Sequence, residues 1–287
     1  MNTIDSNFVK TNLKLPAPDS HKGQNGKLTI IGGSRLFHGA SLFALKIASR
    51  IVDMVYYASI YHNQKLTDYL QKNLYSFILI PQDKEIDYLN QSDCILVGPG
   101  MIRGGADYTG TGETGDQVKK EILPLLQAYP AKKWLIDAGA IYAIDSNILH
   151  PLKNTIITPH IKEFYQLFNI SLENKSQPEI ISICQDKAQK FNLTIVLKGP
   201  IDIIVSSDQV LLNTTGNQGM TKGGTGDCLA GLIAALACTH DNFTAAAIGT
   251  YINGLAGDKL YKQLGPYFNT DDLTNLIPHV LWQSTSI

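Results

Sequence analysis

A glycine-rich run in the last third of the chain contains the residues best suited to chemistry. The run covers residues 215–231, TGNQGMTKGGTGDCLAG, and Asp227 is its acidic residue. Glycines let backbone N–H groups converge on an anion. The apolar, proline-free residues that follow predict a buried helix, whose N-terminus adds free N–H donors and a positive dipole end. The pattern favours phosphate binding at this helix start.

Asp227 has two interpretations. It could cap the helix in a tight turn, which stabilises a helix by about 0.5–2 kcal/mol. It could instead be a catalytic base that takes the proton of a hydroxyl while neighbouring N–H groups hold a phosphoryl group in transfer. A carboxylate is repelled by phosphate oxygens, so its place here favours the catalytic interpretation. We expect the helix dipole to keep its pKa low, which a loose transition state tolerates.

Short apolar segments alternate with helical ones along most of the chain. This alternation predicts a mostly parallel sheet covered on both faces, with a late hairpin adding antiparallel strands at one edge. Strands are expected at 27–33, 54–59, 75–80, 93–98, 133–137, 155–158 and 194–198, and the hairpin at 201–205 and 210–213. Helices are expected at 39–51, 119–129, 161–168, 178–191, 227–239, 243–263 and 270–283.

The expected strand ends carry small or polar residues. Ligands of open α/β sheets bind outside the carboxyl ends of the strands. A single ligand-binding rim is therefore predicted at the following strand ends: Gly32-Gly33, Gly98-Pro99-Gly100, Asp137-Ala138-Gly139, Thr158-Pro159-His160 and Lys198-Gly199.

Composition indicates a soluble globular protein. The 287 residues are 44% hydrophobic and 17% charged, and we expect one domain over 1–287, with 1–20 as a polar surface arm. The net charge of −1 disfavours nucleic-acid and anionic-membrane partners. No signal-peptide pattern or membrane-length apolar run is present, and the four cysteines lack metal or CxxC spacing, so a reducing cytoplasm is expected.

Residues 110–115 form a GxGxxG pattern without a strand directly before it. We therefore predict a mobile surface loop rather than a dinucleotide-binding loop. Residues 101–116 form an enlarged loop and a candidate lid over a substrate. The sequence lacks the Walker order, the GxSxG elbow of hydrolases and the HExxH zinc helix.

The block Asn213-Thr-Thr-Gly-Asn-Gln-Gly-Met220, followed by Gly223-Gly-Thr-Gly-Asp227, resembles the ADP/ATP-dependent NAD(P)H-hydrate dehydratases of the ribokinase-like superfamily. The resemblance spans about residues 21–257 and includes His21-Lys-Gly23, Gly98-Pro-Gly100 and Thr158-Pro-His160 with Glu163. Two departures stand out. His38 replaces a proline, and Pro200-Ile201-Asp202 follows Lys198-Gly199 where the family usually has Ala-x-Thr.

The resemblance implies a ribokinase-like three-layer α/β/α sandwich with a mostly parallel central sheet. It implies repair of the hydrated forms of NADH and NADPH (NADHX and NADPHX). Their C6 hydroxyl would be phosphorylated by ADP or ATP, and phosphate would then leave as the double bond reforms. Mg²⁺ would bridge the nucleotide phosphates, although the sequence identifies no metal ligands, and a homotetramer is implied.

The resemblance also implies the site residues. Asp227 would be the base. The residues implied to bind the hydrated dinucleotide are Ala40, Gly100, His160 and Asp227. Those implied to bind the phosphate donor are Lys198, Gly199, Pro200, Ile201, Asp202, Gly224, Thr225 and Gly226.

Two alternatives remain open at this point. One is a ribokinase-superfamily kinase of a small vitamin-like alcohol, such as a hydroxyethylthiazole-type substrate, although the Thr-Pro-His block argues against it. The other is a non-catalytic nucleotide-binding protein on the same fold, against which the intact Asp227 argues. The sequence does not choose between ADP and ATP, or between NADHX and NADPHX. An epimerase domain, often fused to this family, is not expected before His21.

Overall fold

A nine-stranded sheet forms the centre of the computed structural model, which describes residues 2–59, 72, 74–81, 84–105 and 107–286. The strand order across the sheet is β3-β2-β1-β4-β5-β6-β7-β8-β9. The strands are β1 (Lys27–Gly32), β2 (Met54–Ser59), β3 (Ile78–Leu79), β4 (Cys94–Val97), β5 (Lys133–Ile136), β6 (Asn154–Ile157), β7 (Leu193–Leu197), β8 (Asp202–Val205) and β9 (Val210–Asn213).

The sheet is parallel from β3 to β7, and the hairpin strands β8 and β9 are antiparallel additions at one edge. Strand β4 is buried along its whole length, as are all five residues of β7. Continuous apolar strands of this kind are typical of a parallel sheet with both faces covered. The predicted sheet type and the position of the hairpin are confirmed.

Ten α-helices lie among the described residues. They are α1 (Ser6–Asn12), α2 (His38–Ala48), α3 (Glu85–Gln91), α4 (Gly115–Ala128), α5 (Ala138–Ala143), α6 (Ile161–Phe168), α7 (Gln177–Phe191), α8 (Thr225–Ala237), α9 (Asn242–Leu264) and α10 (Thr270–Ser286).

The helices form two layers, one on each face of the sheet. One hydrophobic cluster joins apolar residues of α2, α8, α9 and α10 to alternate residues of the strands, such as Leu28 and Ile30. The other joins α4, α5, α6 and α7 to the intervening residues, such as Ile31 and Ile95. Side chains of a strand alternate between faces, so every strand except the short β3 contributes residues to both clusters. The predicted three-layer α/β/α sandwich is confirmed.

Two expectations about individual elements were wrong, and two further helices were missed. The strand expected at 75–80 is only the pair Ile78–Leu79. Helix α4 begins at Gly115 instead of 119, because Thr114 and Gln117 form a capping box at its start. Helices α3 and α5 were not expected.

In the described part of the chain, no helix is both long enough and apolar enough to cross a membrane.

The N-terminal segment is not simply a polar surface arm. It contains α1, and Ile4 and Val9 are buried in the cluster that holds α9 and α10. The backbone N–H of Ile4 donates a hydrogen bond to the Leu212 carbonyl at 2.9 Å, beside strand β9. The expectation of a surface arm over 1–20 is therefore wrong for this segment, because Phe8 and Leu13 also pack against the same cluster.

Candidate active site

Helix α8 begins at a glycine that no other residue type would suit. Gly224 is the N-cap with φ +96°, and an added Cβ would lie 2.6 Å from a ring carbon of Phe43. The Thr225 hydroxyl is within hydrogen-bond distance of the Met220 and Lys222 carbonyls, 2.7 Å and 3.0 Å away. The turn before α8 is thereby fixed, and the free N–H groups of the first helical turn face outward for a ligand.

Asp227 lies in the first turn of α8, and Gly224 rather than Asp227 occupies the capping position. The pKa of Asp227 is raised to about 7, mainly by burial and also by the nearby negative charge of Asp137, while the positive charges of Lys198 and Arg103 oppose the shift. Our expectation of a low pKa was therefore wrong, because desolvation outweighs the helix dipole. A carboxyl group with a pKa near 7 is well matched to general base catalysis at neutral pH.

Lys198 connects two buried carboxylates, Asp137 at the end of β5 and Glu163 in the first turn of α6. Its Nζ lies 3.0 Å from Asp137 Oδ1 and 3.6 Å from Glu163 Oε2. The Thr158 hydroxyl also donates to Asp137 Oδ1, at 2.7 Å. Burial alone would lower the pKa of Lys198, but the charges of Asp137 and Glu163 outweigh it and the pKa is raised. Lys198 therefore stays charged and already has acidic partners.

His160 is the N-cap of α6 and shares a capping box with Glu163. The Glu163 N–H donates to His160 Nδ1 at 3.1 Å, and the His160 N–H donates to Glu163 Oε2 at 2.9 Å. Burial lowers the pKa of His160, Glu163 opposes this, and Lys198 and Arg103 lower it further. The imidazole is therefore neutral at pH 7, and its Nε2 lies 3.5 Å from Oε1 of the same Glu163.

Two pockets meet at the start of α8. The first, which we call the Lys198 pocket, has a volume of about 560 Å³. The second, the Gly100 pocket, has a volume of about 460 Å³. Thr225 and Gly226 line the Lys198 pocket, while Gly224 and Asp227 line the Gly100 pocket. The first helical turn of α8 is thus the wall that the two pockets share.

Most of the predicted site residues line one of these pockets. The Lys198 pocket is lined by Lys198, Gly199, Pro200, Asp202, Thr225 and Gly226. The Gly100 pocket is lined by Ala40, Gly100, Gly224 and Asp227. Ile201 and His160 line neither pocket. His160 is nevertheless tied to the site through Glu163 and through a β-bridge to Lys198.

The departure after Lys198-Gly199 has a structural explanation. Asp202 Oδ1 accepts the Gly199 N–H at 3.0 Å, and Asp202 Oδ2 accepts from the Asn213 amide at 3.0 Å. Burial raises the pKa of Asp202, although these hydrogen bonds and Lys198 oppose it. The carboxylate joins the turn after β7 to the end of β9, so the wall of the Lys198 pocket is held from within.

Sequence reasoning missed three residues of the site. Asp137 was recognised only as a strand end, and Arg103 only as part of a loop. Asp258 on α9 was missed altogether, although its carboxylate accepts from the Gly216 N–H at 3.0 Å and from the Asn217 amide at 2.9 Å. The strand-end position was a usable signal for Asp137. No local pattern could have paired Asp258 with a loop about 40 residues earlier.

The GxGxxG stretch lies in a loop held by Asp107, an acidic residue just before it. The Asp107 carboxylate accepts N–H groups of Thr109, Gly110 and Gly112 at 2.9, 2.9 and 2.7 Å. No strand precedes it directly in the described residues, in agreement with the surface-loop prediction. Tyr108 of this loop lines the Gly100 pocket, which brings the candidate lid to the site.

Comparison with known proteins gives consistent results. The family model described as NAD(P)H-hydrate dehydratase matches residues 28–279. The bifunctional NAD(P)H-hydrate repair enzyme Nnr of Methanocaldococcus jannaschii is 38% identical over 271 residues, covering 92% of this chain and 49% of that protein. The chain thus spans about half the length of the repair enzymes it matches. The ADP-dependent (S)-NAD(P)H-hydrate dehydratase of Cenarchaeum symbiosum is 34% identical over 274 residues, covering 92% of this chain and 91% of that protein.

Two solved structures resemble the α/β/α sandwich of this chain. The ADP/ATP-dependent NAD(P)H-hydrate dehydratase from Bacillus subtilis, co-crystallised with ATP/Mg²⁺, superposes with a TM-score of 0.82 at 23% identity, covering 99% of this chain and 98% of that one. A ribokinase from Thermotoga maritima superposes with a TM-score of 0.55 at 12% identity, covering 88% and 99%. With the family model matching most of its length, this chain belongs to the NAD(P)H-hydrate dehydratase family.

Proposed function

We propose that this chain catalyses the ADP- or ATP-dependent dehydration of NADHX and NADPHX, restoring NADH and NADPH. The observation that carries the proposal is the junction of two pockets at the first turn of α8, where Asp227 is half-buried and its pKa is raised to about 7. One pocket suits a phosphate donor, the other suits a hydroxyl acceptor, and the base lies between them.

The donor occupies the Lys198 pocket in this proposal. Lys198 offers a positive charge, and residues 199, 200, 202, 225 and 226 provide the walls. Backbone N–H groups of 224–227 hold the phosphoryl group during transfer, as helix N-termini do for anions. Ile201 is 41% exposed and lines neither pocket, so we assign it no contact of its own.

The hydrated dinucleotide occupies the Gly100 pocket, against Ala40 and Gly100, with His160 at the edge of the site. Asp227 takes the proton of the C6 hydroxyl, whose oxygen attacks the terminal phosphorus of the donor. The bond from that phosphorus to the bridging oxygen breaks. In the second step the C6–O bond breaks, its electron pair leaves with phosphate, and the ring double bond reforms as a proton is lost from the adjacent carbon.

Mg²⁺ is implied by the family resemblance. The site offers carboxylates for it, but no complete set of protein ligands. The described residues contain no group of three or more His, Cys, Asp or Glu side chains that could hold a metal ion. Mg²⁺ characteristically takes one or two carboxylates plus phosphate oxygens and water. Asp137 and Asp227 are the carboxylates available to it here, and its chemistry would be neutralisation of the phosphate charge.

We also propose a cytoplasmic homotetramer. The cytoplasmic location is supported by the free thiols of all four cysteines, as expected in a reducing compartment. The tetramer rests on family resemblance. Sedimentation equilibrium of the purified chain tests it, with a stable monomer or dimer as the contradicting result.

The test of the activity combines NADHX or NADPHX with ADP or ATP and Mg²⁺ and follows NADH absorbance. Return of the absorbance together with release of inorganic phosphate is the expected result. A non-catalytic nucleotide-binding protein would bind the nucleotide without releasing phosphate. A small-alcohol kinase would leave NADHX unchanged and phosphorylate a hydroxyethylthiazole-type alcohol instead. Either outcome would refute the proposal.

A further inference from the structure

Arg103 is a charged residue in the Gly100 pocket to which the proposed function gives no role. It follows Gly100 in the loop after β4, and it lines the same pocket as Ala40 and Asp227. Of the described residues that line this pocket, Arg103 is the only cation. An acceptor pocket that receives a phosphoryl group gains negative charge during the reaction, so a cation there has an evident electrostatic use.

The guanidinium is held in position without being saturated. Its central carbon lies 5.2 Å from the ring centroid of Tyr142, and Nη2 lies 3.7 Å from Oε1 of the buried Glu163. The distance of 3.7 Å is too long for a hydrogen bond. Among the described residues the guanidinium donates no hydrogen bond, and the side chain is 47% exposed. Its N–H donors are therefore available to a ligand.

Lys198 differs from Arg103 in this respect. The Lys198 ammonium already donates to Asp137 at 3.0 Å. It lines the Lys198 pocket, whereas Arg103 lines the Gly100 pocket. The positive charges of both side chains lower the pKa of Asp227, which places both within electrostatic reach of the proposed base. The site therefore has a cation on each side of the point of transfer. Arg103, on the acceptor side, has more of its hydrogen-bond donors unused than Lys198.

We propose that Arg103 binds the transferred phosphoryl group on the acceptor side, holding it after it has left the donor and while it departs as inorganic phosphate. A planar guanidinium suits two oxygens of one phosphate group, and this geometry is stronger and more selective than a single ammonium contact. Glu163 and Tyr142 orient the guanidinium before the phosphoryl group arrives. The role rests on the proposed function, because it requires transfer into the Gly100 pocket.

The dinucleotide brings a diphosphate of its own, which could also attract an arginine. The position of Arg103 favours the transferred group, because Arg103 lines the same pocket as Asp227 and its charge acts on that proposed base. The two sources make different kinetic demands. A contact with the dinucleotide diphosphate is present before reaction and changes KM, whereas a contact with the transferred group strengthens during reaction and changes kcat.

In the first experiment, inorganic phosphate is titrated into protein saturated with AMP, and calorimetry measures how tightly the phosphate binds. The variants are Arg103→Gln, which removes the charge, and Arg103→Lys, which keeps the charge and loses the planar fork. The matched control is Arg35→Gln. Arg35 also precedes residues of the Gly100 pocket, but its guanidinium is directed to the Thr111 carbonyl at 3.2 Å.

We expect Arg103→Gln to weaken phosphate binding by about tenfold or more, Arg103→Lys to weaken it less, and Arg35→Gln to leave it unchanged. Wild-type protein that binds phosphate no better than Arg103→Gln overturns the role, as does an equal loss in Arg35→Gln. If Arg103→Gln does not fold, Arg103→Lys decides: it must bind phosphate more weakly than wild type.

The second experiment measures steady-state rates with NADHX and ADP. We expect Arg103→Gln to lower kcat by at least about tenfold, with KM for the dinucleotide within about threefold of wild type. A raised KM with kcat retained would assign Arg103 to the dinucleotide diphosphate and overturn the role. Phosphate titration needs no hydrated substrate. Failure of wild type to restore NADH would therefore refute the proposed function while leaving the titration to decide Arg103.

Discussion

Three carboxylates and two cations surround the start of α8, and their balance sets the chemistry available there. Asp137 and Glu163 are buried and share Lys198, while Arg103 lies 3.7 Å from Glu163. Asp227 is the carboxylate without a cationic partner within ion-pair distance among the described residues. Charge that is partly shielded from water and lacks a partner is unfavourable, so Asp227 holds its proton more tightly than an ordinary aspartate and can gain or lose it near neutral pH.

Asp227→Asn should abolish turnover while leaving both nucleotides able to bind. Asparagine keeps the shape of the side chain but cannot accept the hydroxyl proton. Loss of a general base lowers kcat by a factor on the order of 10²–10⁴. Calorimetry of ADP binding beside steady-state rates provides the check. A variant that binds ADP normally and retains kcat within about threefold of wild type would show that Asp227 is not the base.

The same substitution should stabilise the fold at high pH. The pKa of Asp227 is raised from 3.8 to about 7, so the folded state favours the protonated form. The stability associated with that proton is fully present below about pH 4 and is lost as pH rises through about 7. Asparagine stays neutral throughout. Melting temperatures should show an advantage of Asp227→Asn that grows from about pH 4 to 7, and a pH-independent difference would contradict the raised pKa.

Asp137 should tune the pH dependence of the reaction. We expect kcat/KM to rise with pH through about 7 as free Asp227 loses its proton. Asp137→Asn removes one negative charge that raises the pKa of Asp227, so the midpoint should move to lower pH. Asp186→Asn, an exposed change on α7, serves as the control. An unmoved midpoint in Asp137→Asn would show that Asp137 does not act on the base.

At the scale of elements, residue patterns predicted what is local. Helix α8 was predicted to within two residues because the glycines and the apolar run mark both its start and its course. The strand ends were also predicted from local pattern, because small or polar residues follow each short apolar run. Helix α5 was missed because Ala138, its first residue, has φ +47°, an unusual conformation for alanine that no pattern announces. The shortness of β3 was also missed, because an edge strand ends where its neighbour stops pairing.

The start of α8 allows a direct test with two adjacent glycines. Gly224→Ala places a Cβ 2.6 Å from Phe43 at a residue with φ +96°, whereas Gly223→Ala meets nothing within 4 Å. We expect Gly224→Ala to lose about 1–3 kcal/mol of stability and to weaken donor binding, because backbone strain and overpacking add. Gly223→Ala should resemble wild type in a denaturant titration. Equal stabilities would mean that the turn adapts freely.

At the scale of the whole molecule, the site depends on contacts between distant parts of the chain. Asp258 of α9 holds Gly216 and Asn217, which line the Lys198 pocket. Strand ends on one rim could be predicted from topology, but a carboxylate selected by tertiary packing could not. The roles of the site residues, the single domain and the tetramer stay predictions, since fold and family membership do not determine them.

The N-terminal segment offers a test of how far the core extends. Val9 of α1 is fully buried, and α1 packs against α9 and α10, although its surrounding sequence is polar. Val9→Ala removes two buried methyl groups and leaves a cavity between α1 and the helical layer, so we expect a loss of about 1–3 kcal/mol. Asn7→Ala on the same helix is the control, because Asn7 is exposed and its substitution leaves no cavity. The measurement is urea unfolding of both variants. If α1 only rested on the surface, the urea midpoints of both variants would equal that of wild type. Because α1 belongs to the core, we expect a lower midpoint for Val9→Ala alone. Its m-value should stay unchanged, because the folded state remains compact.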